Sequence, residues 1–390
     1  LITYRIMKFN FGFIEEWKNL EQIQKSINGG CSIVFYAENK ASMNHFKLLL
    51  LELTEVRNLQ VCYVTSIKND SVFSLKNKNI SAYYVGDGIV RTKFFLTLKA
   101  KILIMDMPDL ETFHIKRSKV YPVHYIYIFH SMFSIHSYLR KGAIDHYDTI
   151  FCVGEHHEKE IIETEKLYNL QPKKLVKYGF GRLDTLLSEK EKFQQMNTNN
   201  EKLIIISPSY GKNNLLNICG IELIEILLKM NFKVLLRPHF IILRDSNDLI
   251  KKIHSKFDSN PNFIMENGVI SPDNFHNSIC MISDWSGISF EYAFTFERPV
   301  IFIDVPKKIL NSYSDDISME PIEISIRSEL GYVVSPKELE KIPELIQMSN
   351  DNNQNMQEKI KLLRSKTVFN IGKSKIIGAN YIEELINKLS

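Results

Sequence analysis

No stretch of this 390-residue chain is apolar for long enough to read as a membrane span, and its start does not read as a signal peptide. Cysteine is scarce. The five residues stand at 31, 62, 152, 219 and 280, an odd number with no Cys-x-x-Cys pair. That excludes a disulfide framework and leaves them as small core residues of a reduced, intracellular protein. There is also no basic arm. Lysine and arginine are scattered and the net charge is only +4, so nucleic acid is not an expected partner. A mild positive balance suits anionic ligands or an anionic membrane surface better. No internal sequence repeat is present, which excludes a solenoid.

What is present is a regular alternation. The chain is 44% hydrophobic, enough for sizeable cores, and its length predicts two domains. Short apolar runs at 32–37, 61–65, 82–85, 101–105, 124–129 and 149–153 read as buried strands. Helical patterns at 12–27, 44–53, 91–99 and 159–168 lie among them. A polar stretch, Gln194 to Asn200, reads as a linker. The alternation then restarts, with strands at 203–206, 233–236, 262–265, 279–282 and 300–303. Helices are expected at 218–230 and 246–257, and near 337–347, 354–365 and 375–389, with 350–355 as a solvated loop. Strand–helix alternation means parallel sheets covered by helices on both faces. The expected architecture is therefore two doubly wound, Rossmann-like domains facing across a cleft. Residues 1–190 form the first and 201–370 the second, and the final helix, 375–390, packs back toward the first.

Polar residues gather where strands end: His130, Ser207 and Ser209, Arg237 and His239, and the run Ser283-Asp284-Trp285-Ser286-Gly287-Ile288-Ser289. The last is a strand–turn–helix unit in which Ser283 or Ser286 can cap a helix starting near Gly287. A helix opening at the carboxyl end of a parallel strand presents unused N–H groups and a positive dipole end, where α/β sheets bind phosphate.

Five segments then stand in a telling order: Tyr178-Gly-Phe-Gly-Arg-Leu-Asp184, Ile204-Ile-Ile-Ser-Pro-Ser-Tyr210, Leu236-Arg-Pro-His239, Ser283 to Glu291, and Arg298-Pro-Val-Ile-Phe302. In this order the chain resembles the CDP-glycerol glycerophosphotransferase family of teichoic-acid and capsule synthesis, which has the GT-B fold. In the first half, Phe129-His130-Ser131 stands where the family has Trp-His-Gly, and 147–153 is also similar. The resemblance covers about two thirds of the chain. It implies a cytoplasmic transferase, peripheral at the inner face of the cell membrane. The enzyme would move glycerol or ribitol phosphate from a CDP-activated donor to a hydroxyl of a surface glycan or lipid-linked polymer, releasing CMP. The alternative on the same fold is a glycosyltransferase using a nucleotide sugar. No cofactor is implied beyond the donor. Asp106-Met-Pro-Asp109 is not the Asp-x-Asp triplet of metal-dependent sugar transferases, so no protein-held metal is expected.

Such a reaction needs a base for the acceptor hydroxyl and donors for the pyrophosphate. His130 is the expected base and His239 the expected phosphate donor. Arg237, Ser209, Ser283, Asp284, Ser286, Gly287 and Ser289 make up the expected donor-binding set. Glu291, one turn into the helix, would face the ribose. Tyr210 is placed at the cleft floor. Asp184 is expected to cap its own helix, and His156 and His157 to lie on the surface. Aromatic and basic residues at 91–102 (Arg91, Lys93, Phe94, Phe95, Lys99, Lys101) and at 132–141 (Met132, Phe133, Tyr138, Arg140, Lys141) are expected to rest on anionic headgroups.

Overall fold

A computed structural model describes the chain except for residues 1, 195–202, 246, 267–271, 308–310, 312, 352 and 390. Most of the expected linker, 195–200, lies outside the described residues. Contacts divide the chain into two units. The first is 1–131, 139–184 and 368–390; the second is 132–138 and 185–367.

The described residues of the first unit hold seven parallel strands: β1 (Ile33–Ala37), β2 (Val61–Thr65), β3 (Ile80–Tyr84), β4 (Ile102–Met105), β5 (His124–Ile128), β6 (Thr149–Cys152) and β7 (Lys174–Lys177). Their spatial order is β3-β2-β1-β4-β5-β6-β7. The sheet is buried on both faces, which is why its strands read as unbroken apolar runs rather than alternating ones. One face packs on the helices Ser42–Leu51 and Ser374–Lys388 through Phe35, Phe46, Tyr63, Tyr178, Ala379 and Ile382. All five cysteines are buried thiols; Cys31, Cys62 and Cys152 belong to this unit.

Among the described residues of the second unit are β8 (Leu203–Ser207), β9 (Lys233–Leu236), β10 (Phe263–Met265), β11 (Ser278–Ser283), β12 (Val300–Ile303) and β13 (Gly331–Val334), all parallel. Their order is β10-β9-β8-β11-β12-β13. In both sheets the order reverses once, between β1 and β4 and between β8 and β11. Those two reversals are the topological switch points, where open α/β sheets form ligand crevices.

Several sequence expectations are corrected. β13 was not read at all; it is four residues long and follows a helix directly. The helix expected near 337–347 is Ile342–Asp351, with Pro343 in its first turn, where a missing N–H costs nothing. The expected loop at 350–355 is helical on either side of residue 352. His157 is not on the surface. It is fully buried against Phe129 at a ring distance of 4.0 Å, and its Nδ1 accepts from the Val153 N–H. Asp184 caps a different helix from its own. It accepts from the Gly372 and Ser374 N–H groups at 2.7 and 3.1 Å and from the Ser374 hydroxyl at 2.5 Å, anchoring the Ser374–Lys388 helix. Three aromatic residues of the expected membrane patch are core residues: Phe94 and Phe95 pack on Tyr36 in the first core, and Phe133 packs on Phe290 in the second. No helix among the described residues is long and apolar enough to cross a membrane.

Gly179 explains one motif position. Its φ is +100°, and an added Cβ would lie 2.3 Å from the Phe369 carbonyl oxygen. The left-handed backbone and the backbone contact both oppose any side chain. Gly179→Ala is expected to destabilise by about 1–3 kcal/mol, as overpacking does, and urea unfolding at an unchanged midpoint would disprove this account.

Candidate active site

The second unit gathers its polar residues along the carboxyl edge of its sheet. The Ile288–Phe296 helix starts immediately after the β11 turn. Neither expected serine, Ser283 or Ser286, caps it; Gly287 stands at the cap position with no side-chain bond. The Ser283 hydroxyl donates to the Ser207 carbonyl at 2.7 Å, and the Ser289 hydroxyl donates to the Ser286 carbonyl at 2.7 Å. Both side chains are fully buried. What the turn offers is backbone. The N–H groups of Ser286, Gly287 and Ile288 have no hydrogen-bond partner among the described residues. These residues are half-exposed, and first-turn N–H groups of this kind attract anions.

Asp284 is organising rather than ligand-facing. Its buried carboxylate accepts from the Ser209 N–H at 2.6 Å and from the Leu215 N–H at 2.8 Å. Leu215 begins the Leu215–Lys229 helix. Asp284 therefore stitches the end of β11 to the end of β8 and caps that helix from outside. Burial pushes its carboxyl above the usual range, and these N–H groups pull it back. Next to it, the Trp285 indole donates to the Val305 carbonyl at 3.0 Å. The Arg327 guanidinium covers the Trp285 ring at 3.9 Å and pairs with Asp304 at 3.0 Å. Sequence reading missed Arg327; its position depends on a loop fold that no motif announces.

Arg237 and His239 follow β9. They are not beside the β11 turn: β8 lies between, so two strand spacings, about 10 Å, separate the strand ends. The β8 end fills that gap. Tyr210 packs against His239 with ring centroids 4.7 Å apart and planes tilted by 37°. His239 Nδ1 accepts from the Ile241 N–H at 3.2 Å. That bond leaves the proton of the neutral ring on Nε2. The Arg237 guanidinium lies 5.9 Å from the centre of the Phe275 ring. Glu291 is half-buried in the first turn of the Ile288–Phe296 helix.

In the first unit, His130 stands just past β5. Its ring donates to the Asp106 main-chain carbonyl, and burial lowers its pKa more than that bond raises it. That bond commits one ring nitrogen as donor. Around it are residues that the sequence did not mark. Asp106, just past β4, is buried, accepts from the Ser42 hydroxyl at 2.9 Å, and is pushed up to about 7 by burial. His45 lies edge-on to His130 at 6.3 Å and is lowered to about 3, first by burial and then by His130 and Arg182. Glu38 ends β1 and takes Arg91 at 2.8 Å and His114 at 3.0 Å. Only strand order brings 38, 106 and 130 together, since β1, β4 and β5 are consecutive in space.

Among the described residues, no three or more His, Cys, Asp or Glu side chains are grouped to hold a metal ion.

Two doubly wound parallel sheets, each with polar strand-end turns, define an enzyme of the GT-B class. Solved structures of that fold align over nearly the whole chain. The wall teichoic acid polymerase TagF, in a variant soaked with CDPG, shares 15% identity at a TM-score of 0.58, with 97% of this chain and 99% of that one covered. The UDP-GlcNAc 2-epimerase of Methanocaldococcus jannaschii, in complex with UDP-GlcNAc and UDP, shares 14% at a TM-score of 0.55, over 91% and 99%. No curated protein sequence matches. Residues 23–369 match the CDP-glycerol:poly(glycerophosphate) glycerophosphotransferase family, and the chain belongs to it. It is a transferase that moves glycerol phosphate from CDP-glycerol to a polymer.

Asp284→Ala leaves two buried N–H groups without acceptors, at about 1–3 kcal/mol each. The expected result is a stability loss of about 2–4 kcal/mol, together with loss of the thermal shift induced by CDP-glycerol. Asp284→Asn, which keeps one acceptor oxygen, should fall between. A wild-type melt for Asp284→Ala would remove the organising role.

Proposed function

We propose that the second unit holds the CDP-activated donor and that His130 activates the acceptor. The N–H groups at 286–288 and the His239 Nε2–H bind the pyrophosphate. Arg237 supplies a second cation, Ser209 lends its hydroxyl, and Glu291 faces the ribose. The basic nitrogen of His130 takes the proton of the acceptor hydroxyl as its oxygen attacks the phosphorus bearing glycerol. The bond from that phosphorus to the bridging oxygen breaks, and CMP leaves with the electron pair. Glycerol phosphate is the donated group and a polymer hydroxyl, lipid-linked in the cell, is the acceptor.

The observation that supports this reading best is the β11 turn with its three unpartnered N–H groups. Preorganised donors of this kind stabilise charge that develops on a leaving phosphate. The low pKa of His130 supports the other half, because a ring that resists protonation is a base at neutral pH.

His130→Ala is expected to lower turnover by about two to four orders of magnitude with little change in donor affinity. His239→Ala removes one donor to developing charge and should cost about two to three orders. His156→Ala should leave turnover at the wild-type level. CMP release measured with CDP-glycerol, CDP-ribitol and UDP-sugars checks all three and fixes the donor. Turnover only with a UDP-sugar would replace this reading with a glycosyltransferase.

The pH dependence has a defined sign. Lowering the pKa of His130 extends its neutral form to lower pH. The acid limb of kcat/KM should therefore fall below the ordinary histidine value of about 6.5. A limb at or above that value would assign the base elsewhere.

A further inference from the structure

The switch point of the first sheet, where open α/β sheets form a ligand crevice, carries polar groups that the reaction has not yet used. That sheet reverses order between β1 and β4, and Glu38 and Asp106 are the residues that immediately follow those two strands. His130 follows β5, the next strand along. The three side chains thus stand in a row at the switch point, where a small ligand is accommodated in open α/β sheets.

The Glu38 carboxylate is held in an unusual way. Arg91 Nη1 and His114 Nε2 both bond to Oε1, at 2.8 and 3.0 Å. Oε2 has no hydrogen-bond partner among the described residues, and the side chain is 23% exposed. Arg91 is itself buried, so the carboxylate is fixed from behind while one oxygen remains open. An ionised carboxylate oxygen accepts two hydrogen bonds. A second sign of an unfilled site lies beside it. His45 is only 7% exposed, its ring stands edge-on to His130, and its buried Nδ1 lacks a partner among the described residues. Buried polar atoms are nearly always satisfied, so an unsatisfied one next to the base points to a ligand group.

We propose that this crevice is the subsite for the acceptor's terminal polyol, and that Glu38 is its specificity-determining residue. The open Oε2 accepts from one hydroxyl of a glycerol phosphate terminus, which leaves the vicinal hydroxyl to donate its proton to His130. Arg91 and His114 position Glu38 and do not touch the polyol. An acceptor without adjacent hydroxyls leaves Oε2 unpaired and is rejected, as sites built to bond a hydroxyl reject analogues that lack it.

The inference rests on the transferase reading, so it is tested with and without the donor. In the nucleotide-free protein, sn-glycerol 3-phosphate is titrated by calorimetry or ligand-observed NMR against wild type and Glu38→Gln. Wild type should bind, and the variant should bind at least tenfold more weakly. In the full reaction with CDP-glycerol and a glycerol-phosphate-terminated primer, Glu38→Gln should raise the primer KM at least tenfold and leave the CDP-glycerol KM unchanged. Glu38→Asp should recover part of the loss. A thermal melt verifies that each variant folds. Equal glycerol 3-phosphate binding by wild type and Glu38→Gln overturns the subsite, as does a primer KM at the wild-type value. Glu38-dependent binding by a protein that releases no CMP from CDP-glycerol supports the subsite and overturns the transferase reading alone.

Discussion

The second unit depends on one buried carboxylate. Asp284 accepts from two main-chain N–H groups that belong to a different strand end and a different helix. A carboxylate taken out of water is costly unless its lone pairs are filled, and here they are filled by backbone that must then stay where it is. The β8 turn, the start of the Leu215–Lys229 helix and the β11 turn are thereby locked together. The Ser283 hydroxyl adds a second stitch between the same two strand ends. Side-chain polarity is spent on holding main chain, and main-chain N–H groups are what remain to meet an anion.

In the first unit burial acts on histidine, because a dry environment disfavours the imidazolium. His130 is kept neutral in this way, while the Asp106 carbonyl selects which nitrogen carries the proton. The same dryness keeps His45 neutral and holds the Asp106 carboxyl near neutrality. Among these neighbours Glu38 is held by Arg91 and His114 through one carboxylate oxygen.

Motif residues and structural roles match unevenly. Gly179 is in its motif because the Phe369 carbonyl occupies the space of a side chain. Asp184 is in the same motif because it anchors a helix nearly 200 positions later. His239 faces Tyr210 as a strand-end residue should. Ser283, Asp284 and Ser289, which read as ligand contacts, are instead internal fastenings.

The strand–helix alternation, the restart after residue 200 and the turn that follows β11 were all legible in the residues. Apolar runs, turn residues and helix starts are local signals, set by backbone sterics and burial. Local signals do not say which strand lies next to which. The placement of β8 between β9 and β11, and of β1 beside β4, exists only in the folded sheets. That order decides that Glu38, Asp106 and His130 share an edge, and that His239 reaches the β11 turn only across Tyr210. It also decides which carbonyl Ser283 meets. A hydroxyl bonds whatever polar atom lies about 2.8 Å away, and for Ser283 at the end of a parallel strand that atom comes from a chain segment dozens of residues distant.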